Sequence, residues 1–467
     1  MMRIKNKGLW LIVLFFLIIY SAFSLVNHYN FRTNAYDLGI FNQALYQYSH
    51  FESGPNTVRG VSNLLGDHFE PILILFSPFY YFFGSYTLLI VQVFLIILGG
   101  IGVFYLLELK DCGKFLAYGG VLIFFLFFGI YDALSFDYHN NVSGIMLLPW
   151  LLYFFYKRQF KLYFGLLFLF LLFKENLSLI AFFLGLMIIF FEDKKYKKIG
   201  FATVLISVIY FILIIFLVIP FFNSDHEYYY FSSYLDAAEN FSIFDLLILP
   251  LKVTASFFDD ELKIRMWVLL MLSGGFLAVL NPRFLVLIFP VIVMKFYSKN
   301  HLYWGHIFHY SVEFAPLVSI YAILAIKKFF RLKHRKFLVI LLICSNIVIL
   351  ARIRFFDSTK VVKIFSKSHY VLSYDRDVLI EAFQKIPKNA SVSAQNSIVP
   401  HLEDRREVFL FPHNKEADYF IFNLGDNNIW PVVNPQEIEK FIELKVRSGE
   451  YKIIFEENSV FVLKKSE

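Results

Sequence analysis

Five short polar stretches, each lodged between long apolar runs, hold the side chains able to move protons, carry phosphate charge or ligate a cation. In Tyr36-Asp37-Leu38-Gly39-Ile40-Phe41-Asn42-Gln43-Ala44-Leu45-Tyr46 the pattern is that of an amphipathic helix with Asp37 near its N-terminus. The helix field there keeps a carboxylate ionised, as a general base or metal ligand must be, although a plain helix cap uses the same residue in the same place. Asp67-His68-Phe69-Glu70-Pro71 sets three ionisable groups before an apolar segment. Asp67, His68 and Glu70 suit a divalent cation, yet neighbours on an extended segment face opposite ways, so a structural network is the equal alternative. Phe136-Asp137-Tyr138-His139-Asn140 offers Asp137 and His139 on one face if extended, as an acid/base or ligand pair, or a capping Asp beside a hydrated His. Lys174-Glu175-Asn176 divides one apolar stretch into two runs too short to cross a bilayer comfortably. A charged turn at that depth is tolerated only facing protein or a wet cavity, where Lys174 neutralises a phosphate or simply pairs with Glu175. Tyr303-Trp304-Gly305-His306-Ile307-Phe308-His309-Tyr310 places His306 and His309 on a common helical face inside an aromatic girdle that also serves to anchor a span.

Composition determines what must position these groups. Hydrophobic residues make up 58% of the chain and charged residues 17%, with 60 Phe and 29 Tyr, more apolar surface than a soluble core can hide. The expected fold class is therefore an α-helical polytopic membrane protein. Clear spans are Leu9–Leu25, Thr87–Leu107, Leu116–Ile130, Val142–Tyr156 and Ile199–Phe221. Shorter candidates are Leu162–Phe173, Leu177–Phe191, Met266–Leu280, Phe284–Phe296, Phe314–Ile326 and Phe337–Leu350. The basic start at Arg3, Lys5 and Lys7 precedes a first span expected to be retained, since no small-residue cleavage site follows it. If Pro71–Phe83, interrupted by Pro78, lies in the interface, the basic clusters at Lys110 and Lys114, Lys157-Arg158, Lys194–Lys198, Arg283 and Lys327–Lys336 all fall on the cytosolic side. That gives about eleven transmembrane helices, a cytosolic N-terminus, and the polar stretches on the opposite face. Ile243–Phe258 is expected along the outer interface. The net charge of +7 reports this orientation, with no nucleic-acid partner. Cys112 and Cys344 lack the spacing of a disulfide, metal or nucleophilic site.

Two domains follow: residues 1–352 in the membrane, with the first outer loop at 27–86, and residues 353–467 as a small extracytoplasmic α/β domain. Its expected strands are Ser391–Ala394, Val408–Phe411, Tyr419–Asn423, Lys452–Phe455 and Val460–Leu463, and Asn434 caps a helix over Pro435–Val446. No Gly-rich phosphate loop is present, which argues against a nucleotide site.

Taken together, the Asp37, Asp67-His68-Phe69-Glu70-Pro71, Asp137-Tyr138-His139 and Lys174-Glu175-Asn176 motifs resemble the membrane-protein family catalogued as domain of unknown function 2079. Val392-Ser393-Ala394-Gln395, Val399-Pro400-His401-Leu402 and Asp418-Tyr419 in the tail are similar to it as well. The resemblance implies kinship with the GT-C superfamily of membrane glycosyltransferases and a polyprenyl-phosphate sugar as donor. It also implies an essential acidic residue in the first outer loop, where Asp37 stands; Asn176 departs from the Asp expected of the family.

The reading that joins these strands is a cell (plasma) membrane glycosyltransferase acting on the extracytoplasmic face. It moves a sugar from a lipid-linked donor to an acceptor glycan, lipid or protein, with membrane lipids as surroundings. Asp37, Glu70 and Asp137 are the catalytic candidates; Gln43, His68, His139, Lys174, Glu175, His306 and His309 are the substrate-binding candidates; Asp67, His68 and Glu70 are the candidate ligands of a divalent metal ion. The alternatives are a transporter or flippase for a lipid-linked or polar solute, which requires mid-depth charges and inverted repeats, and a non-catalytic envelope assembly protein.

Overall fold

The Lys7–Tyr29 and Thr87–Leu109 helices are each 23 residues long and carry almost no charge between their ends. At about 1.5 Å per residue such a helix measures roughly 34 Å, enough for a hydrocarbon core of about 30 Å. In this computed structural model, which describes residues 6–223, 225, 228–230, 251–356, 366–372, 374–402 and 404–466, the protein is mostly helical with a small C-terminal sheet. Among the described residues five helices are long and apolar enough to cross a membrane: Lys7–Tyr29, Ile72–Leu109, Lys114–Ser135, Lys194–Phe222 and Leu332–Arg352.

Other expected spans are shorter or broken, for local reasons. Lys114–Phe125 and Phe128–Ser135 meet at a bend. Asn140–Ile145 and Leu148–Tyr156 are divided where Pro149, with no amide hydrogen to donate, restarts the helix. Phe160–Leu171 and Leu177–Phe191 are separated by the Lys174-Glu175 turn. The Pro71–Phe83 stretch is a chain of short turns, Ile72–Phe76, Ser77–Phe79 and Tyr80–Phe83, with Ile74, Leu75, Tyr81 and Phe82 exposed. Residues 243–250 of the Ile243–Phe258 stretch lie outside the described residues.

Only 22% of the most apolar window of Lys194–Phe222 is buried, and the same holds for Leu332–Arg352. Apolar surface left bare over that length is stable against lipid and not against water. Inside the bundle, one continuous apolar core joins the helices.

The tail folds as a five-stranded sheet of order β2-β1-β3-β5-β4, with β1 Val392–Ala394, β2 Val408–Leu410, β3 Tyr419–Asn423, β4 Tyr451–Glu457 and β5 Val460–Lys465. β1 pairs in parallel with β2 and β3, while β5 runs antiparallel to β3 and β4. The Pro435–Arg447 helix is capped by Asn434, whose side chain accepts from the Gln436 amide. This sheet does not stand apart. Leu38, Ile40, Leu45 and Val58 of the first outer loop share a core with Val392, Ile398, Val399 and Leu410 of the tail. Thr57 is held by Val408 in both directions, its hydroxyl donating to the carbonyl at 2.6 Å and accepting from the amide at 3.0 Å. The loop carrying Asp37 is thus sandwiched between tail and helices.

Candidate active site

Asn34 is extended, and the chain then turns through a π-helical segment, Ala35–Gly39, before the regular helix Ile40–Ser49 begins. The expected amphipathic helix is present, but Asp37 sits in the turn ahead of it. Gly39 permits that turn to lie against the tail, since a Cβ there meets Val399 Cγ1 at 3.0 Å. Asp37 Oδ1 faces His139 Nε2 at 3.1 Å, and 12% of the Asp37 side chain remains exposed. No other hydrogen bond to this carboxylate is made among the described residues.

His139 is placed by its neighbours. Gln92, on the Thr87–Leu109 helix, accepts from the His139 amide at 2.9 Å and donates to the Asp137 carbonyl at 2.6 Å, clamping the backbone on both sides of Tyr138. Asp137 itself has φ +59°, a left-handed conformation costing a non-glycine residue on the order of 1 kcal/mol or more. Its Oδ2 accepts from the Asn34 amide at 2.7 Å and from Asn34 Nδ2 at 3.0 Å. Asp137 therefore secures the entry to the Asp37 turn. On its other face the His139 ring stacks on His309, centroids 3.5 Å apart, with Phe136 stacked at 5.5 Å. Burial, then His139, Lys174 and Lys295, hold His309 well below the usual imidazole range. The 309–311 turn comes this close because Gly129 lacks a side chain: a Cβ there lies 2.7 Å from the Ser311 carbonyl.

The second group gathers around the Lys174-Glu175 turn. Glu175 accepts from His68 Nδ1 at 2.7 Å, the Phe69 amide at 3.1 Å and the Tyr228 hydroxyl at 3.1 Å. Lys174 Nζ lies 3.4 Å from Glu70 Oε1. Burial raises the Glu70 carboxyl, against the opposing pull of Lys174 and His68; burial would lower Lys174, but Glu70 and Glu175 raise it and keep it cationic. Asp67 accepts from Arg59 Nε at 2.9 Å and the Tyr230 hydroxyl at 3.0 Å. Lys174 acts on His309 and Glu70 on Tyr138, so the two groups face one shared electrostatic environment.

Burial alone would raise the Glu175 carboxyl, but the charge and hydrogen bond of His68, followed by Lys174, bring it from 4.5 to about 2. A depressed carboxyl stabilises the fold above its unfolded value, and that contribution disappears as pH falls toward the folded value. In Glu175→Gln the melting temperature in detergent is accordingly expected to fall less than that of the wild type between about pH 6 and pH 3. Glu70 works with the opposite sign, its raised carboxyl favouring the fold at low pH; Glu175 is one of the charges that raises it, so the difference between the two proteins reads the loss of Glu175 together with a smaller opposing change at Glu70. Equal slopes for the two proteins would assign acid sensitivity to other groups.

Several expectations need correction. Asp67, His68 and Glu70 do not converge on a point: each is committed to a different partner, Arg59 with Tyr230, Glu175, and Lys174. Among the described residues no group of three or more His, Cys, Asp or Glu is arranged to hold a metal ion, and the triad does not fit one. His306 and His309 do not share a helical face either. The regular helix starts only at Phe314; His309 opens a short turn toward His139, whereas His306 Nδ1 lies 3.5 Å from Asp132 Oδ2. Gln43 is buried in the loop-to-tail junction, donating to Thr57 Oγ1 at 2.7 Å and the Arg406 carbonyl at 2.9 Å. Asn34, Gln92 and the buried pair Lys295–Glu313 at 2.5 Å were missed from the sequence. Only Lys295 left a signal there, as a cation near the end of an apolar run.

The family described as "Predicted membrane protein (DUF2079)" matches residues 27–462. No curated protein shows a significant match to the chain. Among solved structures, the crystal structure of ArnT from Cupriavidus metallidurans bound to undecaprenyl phosphate is similar, with a TM-score of 0.54 and 10% identity over 98% of each chain. At that identity the likeness establishes the fold and transfers no residue roles.

Proposed function

The chain belongs to the DUF2079 family of predicted membrane proteins, and on that premise we propose that it is a GT-C-type glycosyltransferase using a polyprenyl-phosphate sugar. The observation that carries the reading is the Asp37–His139 contact at 3.1 Å. It orients a partly exposed carboxylate by an imidazole that stacks on His309, a ring within the electrostatic reach of Lys174. The ArnT fold, solved with undecaprenyl phosphate, supports a lipid phosphate as the carrier.

In this mechanism Asp37 accepts the proton of an acceptor hydroxyl while that oxygen bonds to the anomeric carbon. The bond from the anomeric carbon to the phosphate oxygen breaks, and its electron pair leaves on the lipid phosphate. Lys174, with His68 beside it, stabilises the developing phosphate charge. His139 fixes the orientation of Asp37, and Asp137 and Glu70 hold Asn34 and Lys174. The tail supplies the acceptor side: Tyr36 bonds to His413 at 3.1 Å and meets Trp430 at 5.1 Å, leaving half-exposed aromatic surface beside Asp37. Such a surface suits the apolar face of a sugar ring.

Purified protein, supplied with envelope lipids and glycans as acceptors, is expected to consume at least one of a panel of radiolabelled polyprenyl-phosphate sugars. Failure with every donor, alongside uptake of the same lipids into proteoliposomes, would replace this reading with a transporter.

A further inference from the structure

Asp37 is not positioned by the membrane helices alone. The Ala35 amide, at the start of its turn, donates to Asn396 Oδ1 at 2.8 Å, and Asn396 belongs to the tail just beyond β1. Asn396 is 3% exposed, so water does not compete for this bond. Its Nδ2 is shared between Asn34 Oδ1 at 3.0 Å and Asn428 Oδ1 at 2.8 Å. Asn428 in turn donates to Asn34 Oδ1 at 3.2 Å. The three side-chain amides therefore form a closed fork whose donors and acceptors are matched.

Both ends of this fork are anchored. On the tail side, the Asn428 amide donates to Asp426 Oδ1 at 3.0 Å, and Ser397, adjacent to Asn396, donates to Asp426 Oδ2 at 2.5 Å. On the membrane side, Asn34 donates twice to Asp137, and the backbone of Asp137 and His139 is held by Gln92. The chain of contacts runs from Asn428 and Asn396 through Asn34 and Ala35 to Asp37 and His139, without an apolar gap.

Resting on the functional reading above, we infer that Asn396, supported by Asn428, is a positioning residue for the Asp37 base, so that the tail is a structural part of the catalytic centre. Neither asparagine touches Asp37; Asn396 acts through Ala35 and Asn34, and Asn428 through Asn34 and Asn396. Such a role shows in the rate of the chemical step more than in binding, because the donor phosphate is held by other groups.

The test compares the full-length wild type with Asn396→Ala, Asn396→Asp and Asn428→Ala in detergent. Three quantities are read: melting temperature, donor turnover, and deuterium uptake of peptides covering residues 33–40. Asn396→Ala is expected to lower kcat by about 10- to 100-fold with KM for the donor changed less than about threefold, and to raise exchange at 33–40 selectively. Asn396→Asp keeps the acceptor for the Ala35 amide but loses the donor to Asn34 and Asn428 and sets a buried carboxylate oxygen against their carbonyls, so it is expected to lower kcat and raise exchange at 33–40 as Asn396→Ala does. Unchanged exchange at 33–40 would overturn the inference. So would exchange rising uniformly through the tail together with a lower melting temperature, which marks a purely structural residue. Selectively raised exchange at 33–40 in Asn396→Ala, with the wild type itself consuming no donor, would retain the positioning link and overturn only the enzymatic reading.

Discussion

Asp37→Asn is expected to leave membrane yield and melting temperature at wild-type levels while sugar transfer falls by about 10²- to 10⁴-fold. The substitution is nearly isosteric, and the Asn carbonyl still accepts from His139 Nε2, which in the wild type lies 3.1 Å from Oδ1. What disappears is the ability to take a proton. The lost rate thus reports the base and not the architecture. Turnover retained in Asp37→Asn would exclude Asp37 as the base and shift attention to His139, whose Nδ1 is buried without a hydrogen-bond partner.

The second large effect is expected at Lys174, where stability and catalysis separate. Removing one partner of a buried pair leaves an uncompensated charge and costs about 3–5 kcal/mol. The Lys174 side chain is 19% exposed and that of Glu70 2%, so the lower end, roughly 3 kcal/mol, applies to Lys174→Met. Adding Glu70→Gln removes the charge that was orphaned and is expected to restore most of the melting temperature, because burial already favours the neutral Glu70 carboxyl. Donor turnover in the double variant stays down by about 10²- to 10³-fold, since nothing replaces the cation at the departing phosphate. Tryptophan-monitored unfolding in detergent and donor consumption read the two effects on one preparation. If turnover returned together with stability, Lys174 would be a packing residue only.

Much of the architecture was legible along the chain. The β3 strand Tyr419–Asn423 and the cap at Asn434 followed from apolar runs and capping chemistry, both properties of a few consecutive residues. The interruption of the apolar stretch at Lys174 was equally plain, since charge in the middle of such a run demands a turn. The fate of the charged groups was less legible. Asp67, His68 and Glu70 are near neighbours in sequence, yet Arg59, Glu175 and Lys174 draw them apart, because each carboxylate or imidazole pairs with the counter-charge that packing sets beside it. The His306–His309 spacing suggested one helical face, but the chain there forms turns, and the two rings stack or pair with different helices.

Sequence by itself determined the solvent and the list of reactive side chains: 60 phenylalanines require lipid, and Asp37, His139 and Lys174 stand out as polar groups bordering apolar runs. Tertiary structure alone decided which of them meet. Asn34 bonds Asn396 362 positions away and Asn428 394 positions away, and Asp37 meets His139 across 102. Hydrophobic periodicity extends over a few turns and so encodes elements one at a time, whereas a directional hydrogen bond between distant amides exists only after packing has brought the elements together.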